Sequence, residues 1–318
     1  MKITVIGAGG NVGSTAALAV AQRDFAKEVV LVDLERKDGD KTLYPSKGRA
    51  LDQWQTSGIF NFDTRLTGTT DYEATAGSDI GIITAGIPRK PGMSRDDLLQ
   101  INSDIVKQTT RQFLEKSPDG IIIVVSNPLD LMTYVALKES GLSSDKVMGM
   151  AGILDTARYK AFLADELKCS PKDIQAQLLG GHGDTMVPLP RYTTVSGIPV
   201  TQLIDKKKLD EIIERTKFGG GELVNLMGTS AWYAPGAAAA QMAEAIALDQ
   251  NRIFPCSVNL SGQYDLNDLC IGVPVKLGKG GVKEIIEIDM DAEEKKMMDE
   301  SANHIKKGLE DLQRITGD

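Results

Sequence analysis

The sequence predicts an α/β protein: a doubly wound parallel sheet, followed by an α+β unit with antiparallel strands. Two patterns point there. Over residues 1–150, short and almost wholly apolar runs alternate with helical ones, as in a parallel sheet covered on both faces. Over residues 151–318, helical stretches are separated by short apolar runs broken by Gly and Pro, which read as antiparallel hairpins. The two patterns divide the chain into units of residues 1–150 and 151–318.

Taken in order, Ile3 to Ile6 reads as a strand ending in glycines, and Ser14 to Gln22, rich in alanine, as a helix. Val29 to Val32 is the next strand, closed by Asp33, and residues 46–56 look helical. Ile80 to Thr84, Ile121 to Val125 and Val147 to Met150 are further strands, with a helix from Ser94 to Glu115 between the first two. Right-handed crossovers then give the doubly wound sheet. In the second half Leu154 to Leu167 and Ser230 to Leu248 read as helices, and Ala292 to Arg314 as a charged amphipathic one. Short strands are expected around Pro188 to Val200 and from Ile253 to Ile288. Ala237 to Ala240 marks a close helix contact, while Lys37 to Ser46 is longer than expected and has no evident role.

Composition narrows the function. The 318 residues are 42% hydrophobic and 25% charged, a globular balance, and no apolar run is long enough to span a membrane. The N-terminus enters a strand at once without a leader-like segment, and three scattered cysteines, Cys169, Cys256 and Cys270, suit a reducing compartment; a cytoplasmic protein is expected. A net charge of −8 argues against nucleic acid as a partner. Any small anionic ligand must then be met by individual arginines.

Gly7-Ala8-Gly9-Gly10-Asn11-Val12-Gly13 lies between the first strand and the first helix. Glycines there allow a tight turn and close backbone approach to a diphosphate, while the helix N-terminus supplies unpaired N–H groups. The spacing of Gly7, Gly10 and Gly13 departs from strict GxGxxG, and Gly9 is extra. Asp33 ends the second strand, where an acid accepts hydrogen bonds from the adenosine ribose and repels a 2′-phosphate. The combination predicts a Rossmann domain that binds NAD rather than NADP. Of the two histidines, His304 sits on the charged C-terminal helix and reads as a solvated face residue. His182 stands among glycines in Leu179-Gly180-Gly181-His182-Gly183-Asp184; alone, it fits a structural role as well as a catalytic one. Asp155 and Arg158 share a helix face, either as a surface ion pair or as partners of His182 and an anion. Ile87 to Arg95 has the Pro, Gly and Arg content of a lid whose Arg89 and Arg95 close on an anion, or of a plain basic loop.

The glycine loop, Asp33, the lid segment, Ser126-Asn127-Pro128-Leu129-Asp130, Leu154-Asp155-Thr156-Ala157-Arg158 and Gly181-His182-Gly183-Asp184 occur together and in order. With these motifs the chain resembles the malate/lactate dehydrogenase family over nearly its whole length, closest to its lactate-dehydrogenase-like malate dehydrogenases. The resemblance implies hydride transfer between NAD and C2 of a small 2-hydroxy acid. It implies His182 as proton donor and acceptor, Asp155 as its orienting carboxylate, Arg158 on the C1 carboxylate and Arg95 polarising the C2 oxygen. It puts Arg89 at the specificity position, where a second carboxylate needs a cation, so malate and oxaloacetate are expected over lactate and pyruvate. It places Asn127 against substrate and nicotinamide, Asn102 and Val125 to Asn127 (with Ser126) against the cofactor, and Ser230 ambiguously near either. A homodimer or homotetramer is implied, with no metal. The rivals are a lactate or other 2-hydroxyacid dehydrogenase, an NAD-dependent glycosidase, for which metal-binding Cys and His are lacking, and a catalytically silent NAD-binding protein.

Overall fold

Apolar runs too short for helices and flanked by turn residues become buried strands, and the intervening amphipathic stretches cover them. The computed structural model describes residues 1–88 and 92–317. The chain opens with β1 (Lys2–Ile6), α1 (Asn11–Arg23) and β2 (Glu28–Val32), then β3 (Arg36–Asp38), β4 (Lys41–Leu43), α2 (Pro45–Gln55) and α3 (Ser57–Phe60). There follow β5 (Arg65–Thr69), β6 (Ile80–Ile83), α4 (Arg95–Lys116), β7 (Ile121–Val124), α5 (Leu129–Ser140) and β8 (Val147–Gly149). Six strands pair in parallel in the order β5-β2-β1-β6-β7-β8. With the β3–β4 hairpin set aside this is the Rossmann order, and it reverses between β1 and β6, where a crevice opens at the strands' carboxyl ends.

The second half runs α6 (Gly152–Leu167), β9 (Ile174–Gln175), β10 (Leu178–Gly180), β11 (Met186–Pro188), β12 (Thr194–Val195) and β13 (Ile198–Pro199). It continues through α7 (Lys206–Lys217), α8 (Gly219–Met227), α9 (Tyr233–Ala247), β14 (Arg252–Ser261), β15 (Asn267–Gly278), β16 (Gly281–Ile285) and α10 (Ala292–Thr316). Part of it extends the same sheet: β14 pairs β8 at Ser257 and Gly149, β15 pairs β14, β16 pairs β15, and β10 and β11 lie beyond, while β13-β12-β9 form a small sheet of their own. The alanine stretch packs as expected. Ala238, Ala239 and Ala240 of α9 are buried with Ala16 and Ala17 of α1, and a Cβ on Gly236 would fall 2.8 Å from the Ala16 nitrogen.

Several elements differ from expectation. The segment from Ile253 forms two long strands of 10 and 12 residues rather than short pieces, because the register sets Pro255 opposite Pro274 and confines the missing N–H donors to one rung. The helix expected from Ser230 begins only at Tyr233. Strands β5, β9 and β10 and helices α5, α7 and α8 were not anticipated. The unexplained Lys37 to Ser46 segment contains most of the β3–β4 hairpin, closed across its strands by Lys37 Nζ donating to Thr42 Oγ1 at 2.7 Å.

Candidate active site

Helix α1 starts at the crevice with Gly10 as its cap residue and no side chain bonding its first N–H groups, so those donors stay available to an anion. Gly9 N–H donates to Asp33 Oδ2 at 2.8 Å, and the other Asp33 oxygen accepts from Leu34 N–H at 2.7 Å. A Cβ on Gly9 would lie 2.8 Å from both Asp33 Oδ2 and Pro45 Cβ, so the loop is open only while that residue is glycine. Gly7, Gly10, Asn11 and Gly13 complete the turn, and Asn11 Oδ1 accepts from Arg49 at 3.1 Å. These residues fit a dinucleotide: a helix N-terminus for the diphosphate and a carboxylate one strand away for a ribose.

From that end a cavity of 530 Å³ runs past Val12, Asn102, Val125, Ser126 and Asn127 to Arg95 and His182. An adjoining cavity of 440 Å³ shares Val12, Val125, Asn127, His182 and Ser230 with it and reaches Arg158. Such volumes suit a small organic ligand. Ser230 stands on the border of the two. Asn102 is buried and its amide is committed: Oδ1 accepts from Ile87 N–H at 2.8 Å and Nδ2 donates to Asn127 O at 2.9 Å. It thereby ties the end of the lid segment to the loop carrying Asn127. Ser126 Oγ likewise donates to Ala85 O at 2.6 Å. Arg95, exposed, is the first residue of α4, whose cap is a reciprocal Ser94–Asp97 pair. Arg89 lies outside the described residues.

His182 follows β10 on a loop that turns at Gly180 with φ +80°, where a side chain is strained and a Cβ would meet Val187 at 2.8 Å. The imidazole keeps 17% of its surface, and its Nδ1 is 2.9 Å from Asp155 Oδ2 in the first turn of α6. That leaves Nε2 for proton transfer. The second Asp155 oxygen accepts from Arg158 Nη1 at 3.3 Å. Arg158 Nε is buried with no hydrogen-bond partner among the described residues, which costs about 1–3 kcal/mol unless an anion arrives. Burial, the largest influence on the His182 ring, pushes its pKa down. It is outweighed by the charge and hydrogen bond of Asp155 and by the charge of Asp130, so the net shift is upward.

The family model for the lactate/malate dehydrogenase NAD-binding domain matches residues 1–149, and that for the α/β C-terminal domain of the same family matches residues 153–315. The chain belongs to the lactate/malate dehydrogenase family. Residues 1–149 are thus the NAD-binding domain of that family, and NAD is its cofactor. A malate dehydrogenase of Salinibacter ruber is 62% identical over 315 residues, 99% of this chain and 98% of the relative. The solved malate dehydrogenase structure from Salinibacter ruber superposes with a TM-score of 0.93 at 59% identity, covering 100% of this chain and 99% of the other. A lactate dehydrogenase from Cryptosporidium parvum, solved with lactic acid and β-nicotinamide adenine dinucleotide, reaches a TM-score of 0.91 at 36% identity, covering 98% of each chain. Both substrate classes in this family share the fold, so side chains at the cavity must separate them.

Three residues beside His182 escaped the sequence. Asp130 accepts its backbone N–H at 2.9 Å; Ser301 of α10 accepts the Gly181 N–H at 2.7 Å; Thr185 lines the larger cavity. His304 is exposed, as expected of a helix face, but at the mouth of that same cavity rather than away from it. Only the position of Asp130 immediately after Asn127-Pro128-Leu129 offered a signal. Among the described residues no group of three or more His, Cys, Asp or Glu is placed to hold a metal ion.

Proposed function

We propose that this protein is an NAD-dependent malate dehydrogenase, oxidising (S)-malate reversibly to oxaloacetate. The carrying observation is the chain Arg158–Asp155–His182, joined at 3.3 and 2.9 Å at the wall between two cavities that open toward the dinucleotide end. Bound NAD supplies the hydride acceptor. His182, oriented by Asp155, takes the hydroxyl proton during oxidation and returns it during reduction. Arg158 pairs with the C1 carboxylate, Arg95 stabilises charge on the C2 oxygen, and Arg89 meets the second carboxylate. Asn127 orients the substrate; Gly7, Gly9, Gly10, Asn11, Val12, Gly13, Asp33, Asn102, Val125 and Ser126 form the cofactor wall. The division falls near residue 150, immediately past β8.

A homodimer or homotetramer in the cytoplasm completes the proposal. Exposed apolar side chains on α3 and α8, such as Ile59 at 74% and Leu226 at 75%, support self-association. No described helix is long and apolar enough to cross a membrane. NADH consumption with oxaloacetate and with pyruvate tests the substrate. Oxaloacetate should be strongly preferred, and Arg89→Gln should narrow or invert the ratio; wild-type preference for pyruvate refutes the assignment.

A further inference from the structure

A carboxylate that the proton-transfer scheme does not use lies directly behind the catalytic imidazole. Asp130 occupies the first turn of α5 and is 7% exposed. Its Oδ2 accepts the His182 backbone N–H at 2.9 Å, and its Oδ1 accepts from Ser257 Oγ of β14, itself fully buried, at 2.7 Å. Three separate elements therefore converge on this one side chain. The helix N-terminus and two donors favour its ionised form.

We propose that Asp130 is a positioning residue for hydride-coupled proton transfer: it anchors the His182 backbone and supplies a second negative charge that favours the imidazolium. The proposal rests on His182 being the proton-transferring group. The ring feels Asp155 and Arg158 from α6 and Asp130 from α5, and Asp184 of its own loop lines the smaller cavity with it. Arg95 of α4 and His304 of α10 line the larger cavity with it. The buried Cys270 thiol of β15 feels the charge of Asp130, and those of Lys138 and Asp268 as well. Burial, the largest influence, raises the Asp130 pKa; its bonds from Ser257 and His182 and the charge of His182 lower it, the charge of Asp155 raises it, and the net shift is upward. Asp155 acts on the ring directly; Asp130 acts through the backbone and through space.

Asp130→Asn separates charge from shape. The amide oxygen still accepts from His182 N–H, and the amide N–H₂ donates to Ser257 Oγ, whose hydroxyl rotates to accept it. The chain holds two histidines, so the imidazole Cε1 resonance of His182 is assigned by its loss in His182→Asn. In Asp130→Asn the His182 midpoint should move toward acid. Oxaloacetate turnover at pH 8 should fall about three- to tenfold with NADH affinity unchanged. Ser257→Ala, which strips one bond from the carboxylate, should move the midpoint the same way by less, and it keeps the test open if the Asn variant does not fold. A His182 midpoint equal to wild type overturns the proposal. Wild-type protein that reduces no oxaloacetate defeats the malate dehydrogenase reading instead, whatever the midpoints show.

Discussion

One carboxylate serves two side chains in this site, with Asp155 bonding His182 through one oxygen and Arg158 through the other. The sharing orients the imidazole and the guanidinium together, so one substitution should disturb both. Asp155→Asn should lower kcat by about a hundredfold or more and also raise KM for oxaloacetate, read by steady-state kinetics. His182→Asn should abolish turnover by orders of magnitude while NADH still binds, checked by fluorescence titration; near-normal turnover would end its role. The pH dependence follows from the raised His182 pKa. Malate oxidation needs the neutral ring, so its kcat/KM should rise through a midpoint above the ordinary 6.5, whereas oxaloacetate reduction, which needs the imidazolium, should fall there. The same shift bears on stability. A pKa raised in the folded state contributes stability fully present below 6.5 and lost as pH rises through the folded value. The Tm difference between wild type and His182→Asn should therefore shrink across that interval, by calorimetry.

Element ends do much of the positioning. Arg95 is the first residue of α4, and its place depends on the Ser94–Asp97 cap: Asp97 N–H donates to Ser94 Oγ at 3.0 Å and Ser94 N–H to Asp97 Oδ2 at 3.0 Å. Ser94→Ala should lower Tm by about 1–3 °C and, with Arg95 in its proposed role on the substrate, raise KM for oxaloacetate more than KM for NADH. Equal effects on both constants would show that the cap has only a structural role. The far end of the same assembly is tied as well, since Arg314 of α10 donates to Asp96 of α4 at 3.0 Å. The helix bearing His304 is thus linked to the helix bearing Arg95 at the cavity mouth.

At the scale of the whole molecule, the two halves share one sheet through β8 and β14 and are clasped on its face by α1 and α9. One hydrophobic core contains Ile3 and Val29 from the first half with Val258 and Ile271 from the second. Such continuity predicts one cooperative unfolding transition, with near- and far-ultraviolet circular dichroism coinciding in urea. Two resolved transitions would mean that the halves fold separately. The net charge of −8 surrounds a site built on cations, so added salt should raise KM for oxaloacetate by screening the arginines.

The residues gathered around the two cavities were legible as candidates before folding because their local motifs are short: glycines before a helix, an acid at a strand end, Asp155 and Arg158 one helical turn apart. Five of the six Rossmann strands were legible for the same reason, since burial on both faces leaves an apolar run, whereas the half-exposed edge strand β5 carries no such run. Three-dimensional packing decided the rest. Residues 52 and 127 positions apart converge when His182 and Ser257 meet Asp130, and no periodicity encodes that. His304 looked like any solvated helix residue until α10 crossed the cavity mouth, and Pro255 and Pro274 looked like strand breakers until register set them face to face. Sequence alone determined which local structures and reactive groups the chain carries, because those depend on neighbours along the backbone. Only the tertiary structure decided which groups share a cavity and which charges couple, because distance through space depends on how the elements pack.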